Sequence, residues 1–224
     1  MADHGLKVHG EAVPVGGASA EEPLYAVKSA REPEAKAAIA AAAAALVAPG
    51  SVVAISAGST AYAVAARLLD VPELTVVTNS LPVAELLRTA AQEDRPSVPE
   101  LLLAGGTVTP SAALVGPLAD LAIRSLHVDL LILGAHGVSA TAGLTTPNMA
   151  EAQTNRALVA AARRRTVVAD HTKWGVIGLC GFAALEEIDC FITDEALPDE
   201  AQDLLAGAVG ELVTVPTSRQ DAAR

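Results

Sequence analysis

The chain has 224 residues, of which 51% are hydrophobic and 18% are charged. This apolar content excludes a chain that is disordered throughout, and the length suits one large domain with a sizeable core. The formal net charge of -11 at pH 7 gives a surface that repels phosphate backbones, so we expect no direct nucleic-acid binding by these residues.

The first residues, MADHGLKVHGEAV, carry neither an apolar signal core nor an Arg-rich amphipathic pattern, and no apolar run reaches membrane-spanning length. Cys180 and Cys190 have no histidine or further cysteine at metal-ligand spacing, which is typical of reduced thiols. We therefore expect a cytoplasmic protein without membrane association, metal or cofactor.

The first segment, 1–32, is rich in Gly, Glu and Pro, which is typical of a linker or of a strap laid over a domain. The folded domain is predicted at 33–216, and a tail is predicted at 217–224. Four apolar residues are the expected anchors of the first segment: Val13, Val15, Leu24 and Val27.

A helix is predicted from Pro33 through Ala45, because proline and glutamate suit a first helical turn and alanine has the highest helix propensity. Strand and helix patterns then alternate. Strands are predicted near 51–56, 74–78, 100–104, 128–134, 166–170, 189–193 and 211–215. Helices are predicted near 60–70, 81–92, 115–126, 149–164 and 198–208. The alternation predicts an α/β fold, a mainly parallel Rossmann-like sheet with helices on both faces and space for a small extra lobe.

Polar clusters directly follow four of the predicted strands, at 56–60, 78–80, 104–107 and 169–173. The carboxyl ends of parallel strands meet at one edge of a sheet, which is where open α/β sheets bind ligands. Glycine and hydroxyl residues there let backbone N–H groups approach an anion at a helix N-terminus, and a lysine adds a positive charge. The clusters therefore predict a site for a small phosphorylated or carboxylated molecule.

In the first cluster, the backbone amides of Gly58, Ser59 and Thr60 are predicted to face the ligand. The alternative is a turn in which one of the two hydroxyls only caps the next helix. In the second cluster, Asn79 is a candidate contact because its amide both donates and accepts, although asparagine also tolerates left-handed turns. Ser80 is interpreted as the N-cap of the following helix.

Gly105 follows the third strand and permits close approach of a ligand, and a flexible turn explains it equally well. Residues 134–151 are predicted to form a long loop, a feature that is often functional. Within this loop His136 is interpreted either as a ligand contact or as a structural hydrogen-bonding residue.

Lys173 lies at another strand end and is the best-placed lysine for an anion, although it could instead pair with Asp170 at the surface. Arg163–Arg165 are interpreted as the cationic end of the helix predicted at 149–164.

Five motifs, in this order, resemble the effector-sensing domain of DeoR-type bacterial transcriptional regulators. They are SAGSTAYAVAARL, LTVVTNSLPVAELL, LLLAGGTVTPSAALVGPLAD, VDLLILGAHGVSATAGLTTPNMAEAQTNRALV and TVVADHTKWG, followed by LEEIDCFITD. The resemblance covers roughly 33–215, and Lys7–Gly10 resembles the stretch that follows the family's DNA-binding wing. It implies a repressor with a fold related to ribose-5-phosphate isomerase and glucosamine-phosphate deaminase. It also implies a homo-oligomer that responds to a phosphorylated sugar or similar anion.

The resemblance also implies which residues bind the effector. Phosphate contacts are expected around Gly58, Ser59 and Thr60, and the other contacts at Asn79, Gly105, Glu151 and Lys173.

The chain departs from the family in two respects. Nothing before Lys7 could form the family's winged helix-turn-helix, so DNA contact is expected only through a head that this chain lacks. Isomerases of this fold place two aspartates where this chain has Leu133–His136, and Ser56 stands where the family commonly has an aspartate. We therefore expect binding without turnover, a sensor and not an enzyme. The alternatives are a sugar-phosphate isomerase or deaminase with Glu151 as base, and a co-regulator that acts by joining intact homologues.

Overall fold

The computed structural model describes residues 22, 24–93 and 95–217. The helices in these ranges are α1 Tyr25–Ser29, α2 Pro33–Ala44, α3 Ser59–Arg67, α4 Leu81–Ala90, α5 Pro117–Arg124, α6 Met149–Ala161 and α7 Asp199–Ala208. The strands are β1 Val52–Ile55, β2 Thr75–Thr78, β3 Glu100–Leu103, β4 Thr107–Val108, β5 Leu114–Val115, β6 Val128–Leu133, β7 Gly137–Ser139, β8 Gly143–Thr146, β9 Ala162–Val168, β10 Cys180–Ala183, β11 Cys190–Asp194 and β12 Leu212–Val215. Among the helices in the described ranges, none is both long and apolar enough to cross a bilayer.

Seven strands form one sheet in the order β12-β11-β9-β6-β1-β2-β3, and every neighbouring pair is parallel. The predicted α/β class with a mainly parallel sheet is confirmed. From β1 the chain first builds outward through β2 and β3, and it then returns to β6 on the other side of β1. The neighbours β1 and β6 therefore form the topological switch point, where doubly wound sheets open a crevice at their carboxyl ends.

Side chains of the central strands are buried on both faces of the sheet. In β1, Val53 and Ile55 pack with α2, α3 and α4, whereas Ala54 packs with residues of α5, α6 and α7. Because alternate residues of a strand point to opposite faces, a strand that is apolar throughout needs cover on both sides. The predicted helices on both faces are thus confirmed.

Two small antiparallel sheets lie outside the main sheet. Strands β4 and β5 pair within the stretch after the third predicted strand, and β7 and β8 form a hairpin that also pairs with β10. The prediction of a long loop at 134–151 was therefore wrong. The hairpin depends on close packing, because a Cβ added at Gly137 would lie 2.2 Å from the backbone oxygen of Val176.

The prediction that Arg163–Arg165 end a helix was also wrong. Helix α6 ends at Ala161, and the arginines lie in β9, where Arg164 and Arg165 pair with Leu130 and Leu131 of β6. Strand pairing by a neighbour distant in sequence here overrides the local helical pattern. The three arginines form ion pairs of 3.3 to 3.7 Å with acidic partners, which are Asp129, Glu211 and Asp189.

Glu22 and residues 24–31, called the strap below, lie against the domain through polar contacts. Leu24 is 61% exposed and Val27 is 46% exposed, so the prediction that these two side chains anchor the segment was wrong. The other expected anchors, Val13 and Val15, and the motif at 7–10 lie outside the described residues.

Candidate functional site

A cleft opens at the carboxyl ends of β1, β6 and β9, on the switch point of the sheet. Its lining includes most of the residues predicted to bind the effector, which are Gly58, Ser59, Thr60, His136, Glu151 and Lys173. Lys28 of the strap also lines the cleft. The cavity measures about 50 Å³, whereas small-molecule sites commonly measure about 300–1,000 Å³. The cleft is thus narrow for a small-molecule site.

The part of the cleft predicted to bind an anion is the first turn of α3, which follows β1. Gly58 is the N-cap of this helix and has no side chain with which to cap it. The hydroxyl of Ser59 donates to the backbone oxygen of Lys28 at 3.3 Å. The alternative in which Ser59 or Thr60 caps the helix is therefore not what the structure shows. Uncapped amides at a helix N-terminus are suited to bind an anion.

Two buried polar side chains hold this turn in place. The Oγ of Ser56 accepts a hydrogen bond from the amide of Gly134 at 2.9 Å, which joins the ends of β1 and β6. Asn79 Oδ1 accepts from the amide of Ala57 at 3.0 Å, and its Nδ2 donates to the oxygen of Leu114 at 3.1 Å. Asn79 is fully buried and is not part of the cleft lining, so it positions the turn from behind.

Gly105 is not part of the cleft lining either. It is exposed and follows β3, the edge strand, so two strand spacings separate it from the switch point. Ser80 caps α4 by accepting from the amide of Val83 at 3.4 Å, and this prediction is confirmed.

Glu151 supplies a carboxylate from the first turn of α6. The N-cap Asn148 orients this turn by accepting from the amides of Ala150 and Glu151 at 3.0 and 3.1 Å. Glu151 Oε2 is buried and has no hydrogen-bond partner among the described residues. Burial raises the pKa of Glu151, although the charge of Lys28 opposes this shift. An acceptor of this kind is suited to a hydroxyl donated by a ligand.

The cleft has two lysine side chains. Lys173 lies in the short 3-10 helix His171–Lys173, which Asp170 caps by accepting from the amide of Thr172 at 3.1 Å. Within the described ranges neither Lys173 nor Lys28 forms an ion pair within 4.0 Å, so the predicted alternative of an Asp170–Lys173 pair is not observed. Burial lowers the pKa of Lys28. The charges of Glu151 and Glu22 oppose this shift, and the charge of Lys173 adds to it.

His136 lines the same cleft as the two lysines. Burial, together with the charges of Lys28 and Lys173, lowers the pKa of His136 to about 4. The imidazole is therefore neutral at physiological pH. It contributes hydrogen-bonding capacity to the cleft and no positive charge.

The strap residues of the site and their anchor were not predicted from the sequence. Lys36 of α2 is buried, and its Nζ donates to the backbone oxygens of Lys28 and Arg31. The carboxylate of Glu22 accepts from the amide of Ser111 and from Asn148 Nδ2, both at 3.0 Å. No local pattern marks these residues, because their partners lie elsewhere in the chain.

An open α/β sheet whose switch point carries uncapped helix amides, two lysines and a carboxylate with a buried oxygen has the chemistry suited to a small anion. The groups can hold an oxyanion and accept hydrogen bonds from hydroxyls. Within the described residues there is no cluster of three or more His, Cys, Asp or Glu side chains able to hold a metal ion.

Residues 31–195 match the family model of the DeoR C-terminal sensor domain. The chain belongs to the DeoR family, as the motifs predicted. The family model includes the lining of the cleft except for Lys28, which precedes residue 31.

Several curated relatives are transcriptional regulators by name. The chain is 37% identical over 211 residues to the HTH-type transcriptional regulator GlpR of Haloferax volcanii, which covers 93% of this chain and 80% of that protein. It is 35% identical over 193 residues to the HTH-type transcriptional regulator GolR of Listeria innocua, which covers 85% of this chain and 73% of that protein. It is 34% identical over 190 residues to the transcriptional repressor AccR of Agrobacterium fabrum, covering 84% and 71%.

Solved structures show more distant similarity. Ribose 5-phosphate isomerase A of Methanocaldococcus jannaschii aligns at 18% identity with a TM-score of 0.44, over 62% of this chain and 53% of that one. The eIF2B beta subunit of Chaetomium thermophilum aligns at 14% identity with a TM-score of 0.46, over 71% and 50%. This chain thus spans about half the length of either structure, and similarity at this level assigns no activity.

Proposed function

We propose that this domain is the effector sensor of a DeoR-family transcriptional regulator and binds a phosphorylated sugar or a related anionic metabolite in the cleft. The observation that carries the proposal is the convergence of the uncapped first turn of α3 with Lys28 and Lys173. The amides and ammonium groups bind the anion. The half-buried Glu151 and the neutral His136 accept or donate hydrogen bonds to the ligand's hydroxyls.

Regulation requires that the effector bind two states of the protein with different affinities. We propose that the effector changes repression of target genes, in keeping with relatives named as regulators and repressors. DNA contact is proposed to belong to a winged helix-turn-helix linked to the sensor. The sensor is proposed to form homo-oligomers, because a symmetric operator is read by a symmetric assembly.

Isothermal titration calorimetry with a panel of phosphorylated sugars and polyols, each paired with its dephosphorylated form, tests the proposal. We expect saturable binding of at least one phosphorylated compound and none of its neutral partner. Lys173→Met should weaken that binding by about tenfold or more, since hydrogen bonds to charged groups contribute about 1.5–3 kcal/mol. Arg163→Met, which removes an exposed cation outside the cleft, is the control. Equal affinity for the neutral partner, or no binder in a broad panel, would contradict the proposal.

One observation favours a second function, a sugar-phosphate isomerase or deaminase. Glu151 is half-buried and has a raised pKa, and its buried Oε2 has no hydrogen-bond partner among the described residues, which are properties of a general base. The chain has Leu133–His136 where isomerases of this fold place acidic residues, so half of the expected acidic groups are missing. Proton NMR of each bound compound over time separates the functions. Conversion that Glu151→Gln abolishes would establish the enzyme.

A further inference from the structure

The strap is fastened to the same elements that line the cleft. At one end the carboxylate of Glu22 binds Asn148, the N-cap of α6. In the middle the ring of Tyr25 packs edge to face on Tyr62 of α3, with centroids 6.2 Å apart. At the other end the backbone oxygen of Lys28 accepts hydrogen bonds from α3 and α2. The position of the strap and the geometry of the cleft are therefore coupled.

The closed strap brings a second cation over the cleft. Lys28 and Lys173 line the same cavity of about 50 Å³, and their positive charges repel each other. Without an anion this arrangement is costly, because the Lys28 ammonium loses solvent and forms no ion pair within 4.0 Å among the described residues, so the charges of Glu151 and Glu22 offset the loss only in part. With an anion between them, both ammonium groups gain an attractive partner. An anion thus stabilises the closed strap more than the open one.

The size of the cleft leads to the same conclusion. A volume of about 50 Å³ holds only a few water molecules, at about 10–15 Å³ for each. A sugar phosphate is larger and enters only when the cover moves. Lys28 belongs to α1 of the strap, a helix that has no buried residue, and an element with few buried contacts opens at low cost, so the strap is the part of the lining best placed to move.

We propose that the strap is a ligand-dependent closure in which Lys28 binds the effector's anionic group together with the first turn of α3. This inference rests on the proposed function and adds a binding residue and a route for its regulation. The strap joins the sensor to the part of the chain before residue 22. Its position therefore depends on whether the cleft is occupied, and it transmits this difference to the preceding part of the chain. The same coupling gives the two states with different affinity that a sensor requires.

Hydrogen–deuterium exchange and calorimetry on the full chain, with inorganic phosphate as the probe and sodium chloride at equal ionic strength as the blank, test this inference. We expect phosphate to slow amide exchange at residues 24–31 in the wild-type protein. Lys28→Met should weaken phosphate binding by about tenfold or more and abolish the slowing. Arg31→Met removes an exposed cation from the same strap and should change neither result.

Lys28→Arg, which keeps the positive charge, should restore most of the affinity, and equal melting temperatures of the variants show that they fold. The inference is overturned if Lys28→Met and Arg31→Met bind phosphate with equal affinity. It is also overturned if phosphate binds to the wild-type protein without changing amide exchange in the strap. If either of these results is found but Lys173→Met still weakens phosphate binding, the closure is contradicted and the proposed sensor function is supported. A wild-type protein that binds no phosphate counts against both proposals.

Discussion

The Nζ of Lys36 lies 2.6 Å from the backbone oxygen of Lys28 and donates a hydrogen bond to it. The same ammonium group also donates to the oxygen of Arg31, so one buried lysine of α2 holds two carbonyl groups of the strap. Burial lowers the pKa of Lys36, and the nearby charge of Asp170 opposes this shift. The backbone of the residue that covers the cleft is thus fixed by a group from the body of the domain.

Lys36→Met should release the strap, because methionine keeps the apolar length of the side chain and removes both hydrogen bonds. We expect a loss of unfolding free energy of about 1–3 kcal/mol and faster tryptic cleavage after Lys28 and Arg31. Arg67→Met, an exposed substitution on α3, is the control for loss of a positive charge. Cleavage at the control's rate would show that Lys36 does not fasten the strap.

Glu151→Gln should stabilise the ligand-free protein at neutral pH while weakening effector binding. Burial raises the pKa of Glu151, so the folded state holds its proton more tightly than the unfolded state does. The ionised carboxylate therefore lowers stability, and this penalty grows as pH rises from the unfolded pKa through the folded one. Urea unfolding at pH 7 and pH 4 should show a gain for the variant only at the higher pH. Exposed Glu186→Gln should show no such gain, and an equal effect there would contradict the prediction.

His136 should make the protein less stable as the solution is acidified. Its folded pKa is about 4, whereas an unperturbed histidine titrates near about 6.5. Between these values the unfolded state binds more protons, so stability falls as pH decreases through this window. His136→Gln should reduce the fall in the urea unfolding midpoint between pH 7 and pH 4. Exposed His127→Gln should keep the wild-type dependence of this midpoint on pH. Parallel slopes for wild type and His136→Gln would refute this prediction.

Asn79→Ala should act first on stability, because the asparagine holds the turn before α3 and does not line the cleft. It leaves the amide of Ala57 and the oxygen of Leu114 without their partner. At about 1–3 kcal/mol for each of these two buried groups, we expect a total loss of about 2–6 kcal/mol. Exposed Gln92→Ala should cost nothing measurable in chemical denaturation. An unchanged stability with lost effector binding would instead establish Asn79 as a direct ligand contact.

The sequence by itself determined the layers of the fold and the position of the turn proposed to bind the anion. The run Val52–Ile55, followed by Gly58 and a helical pattern, predicted a strand, a turn and a helix, and the structure has β1 and α3 there. These features are encoded locally, because the periodicity of hydrophobic residues and the residues that favour turns can be recognised within one short segment. The alternation of strands and helices then placed the turn at the ligand-binding edge of a parallel sheet.

Only the tertiary structure decided which polar residues face the cleft and which face the protein. Asn79 and Ser59 look alike in sequence as polar residues after strands, yet Asn79 is buried behind the turn and Ser59 lines the site. Lys28 reaches the site only because Lys36 and Ser59 hold its backbone there. Such contacts follow from how separate segments pack, and the local pattern of a segment does not specify the partner that will lie against it.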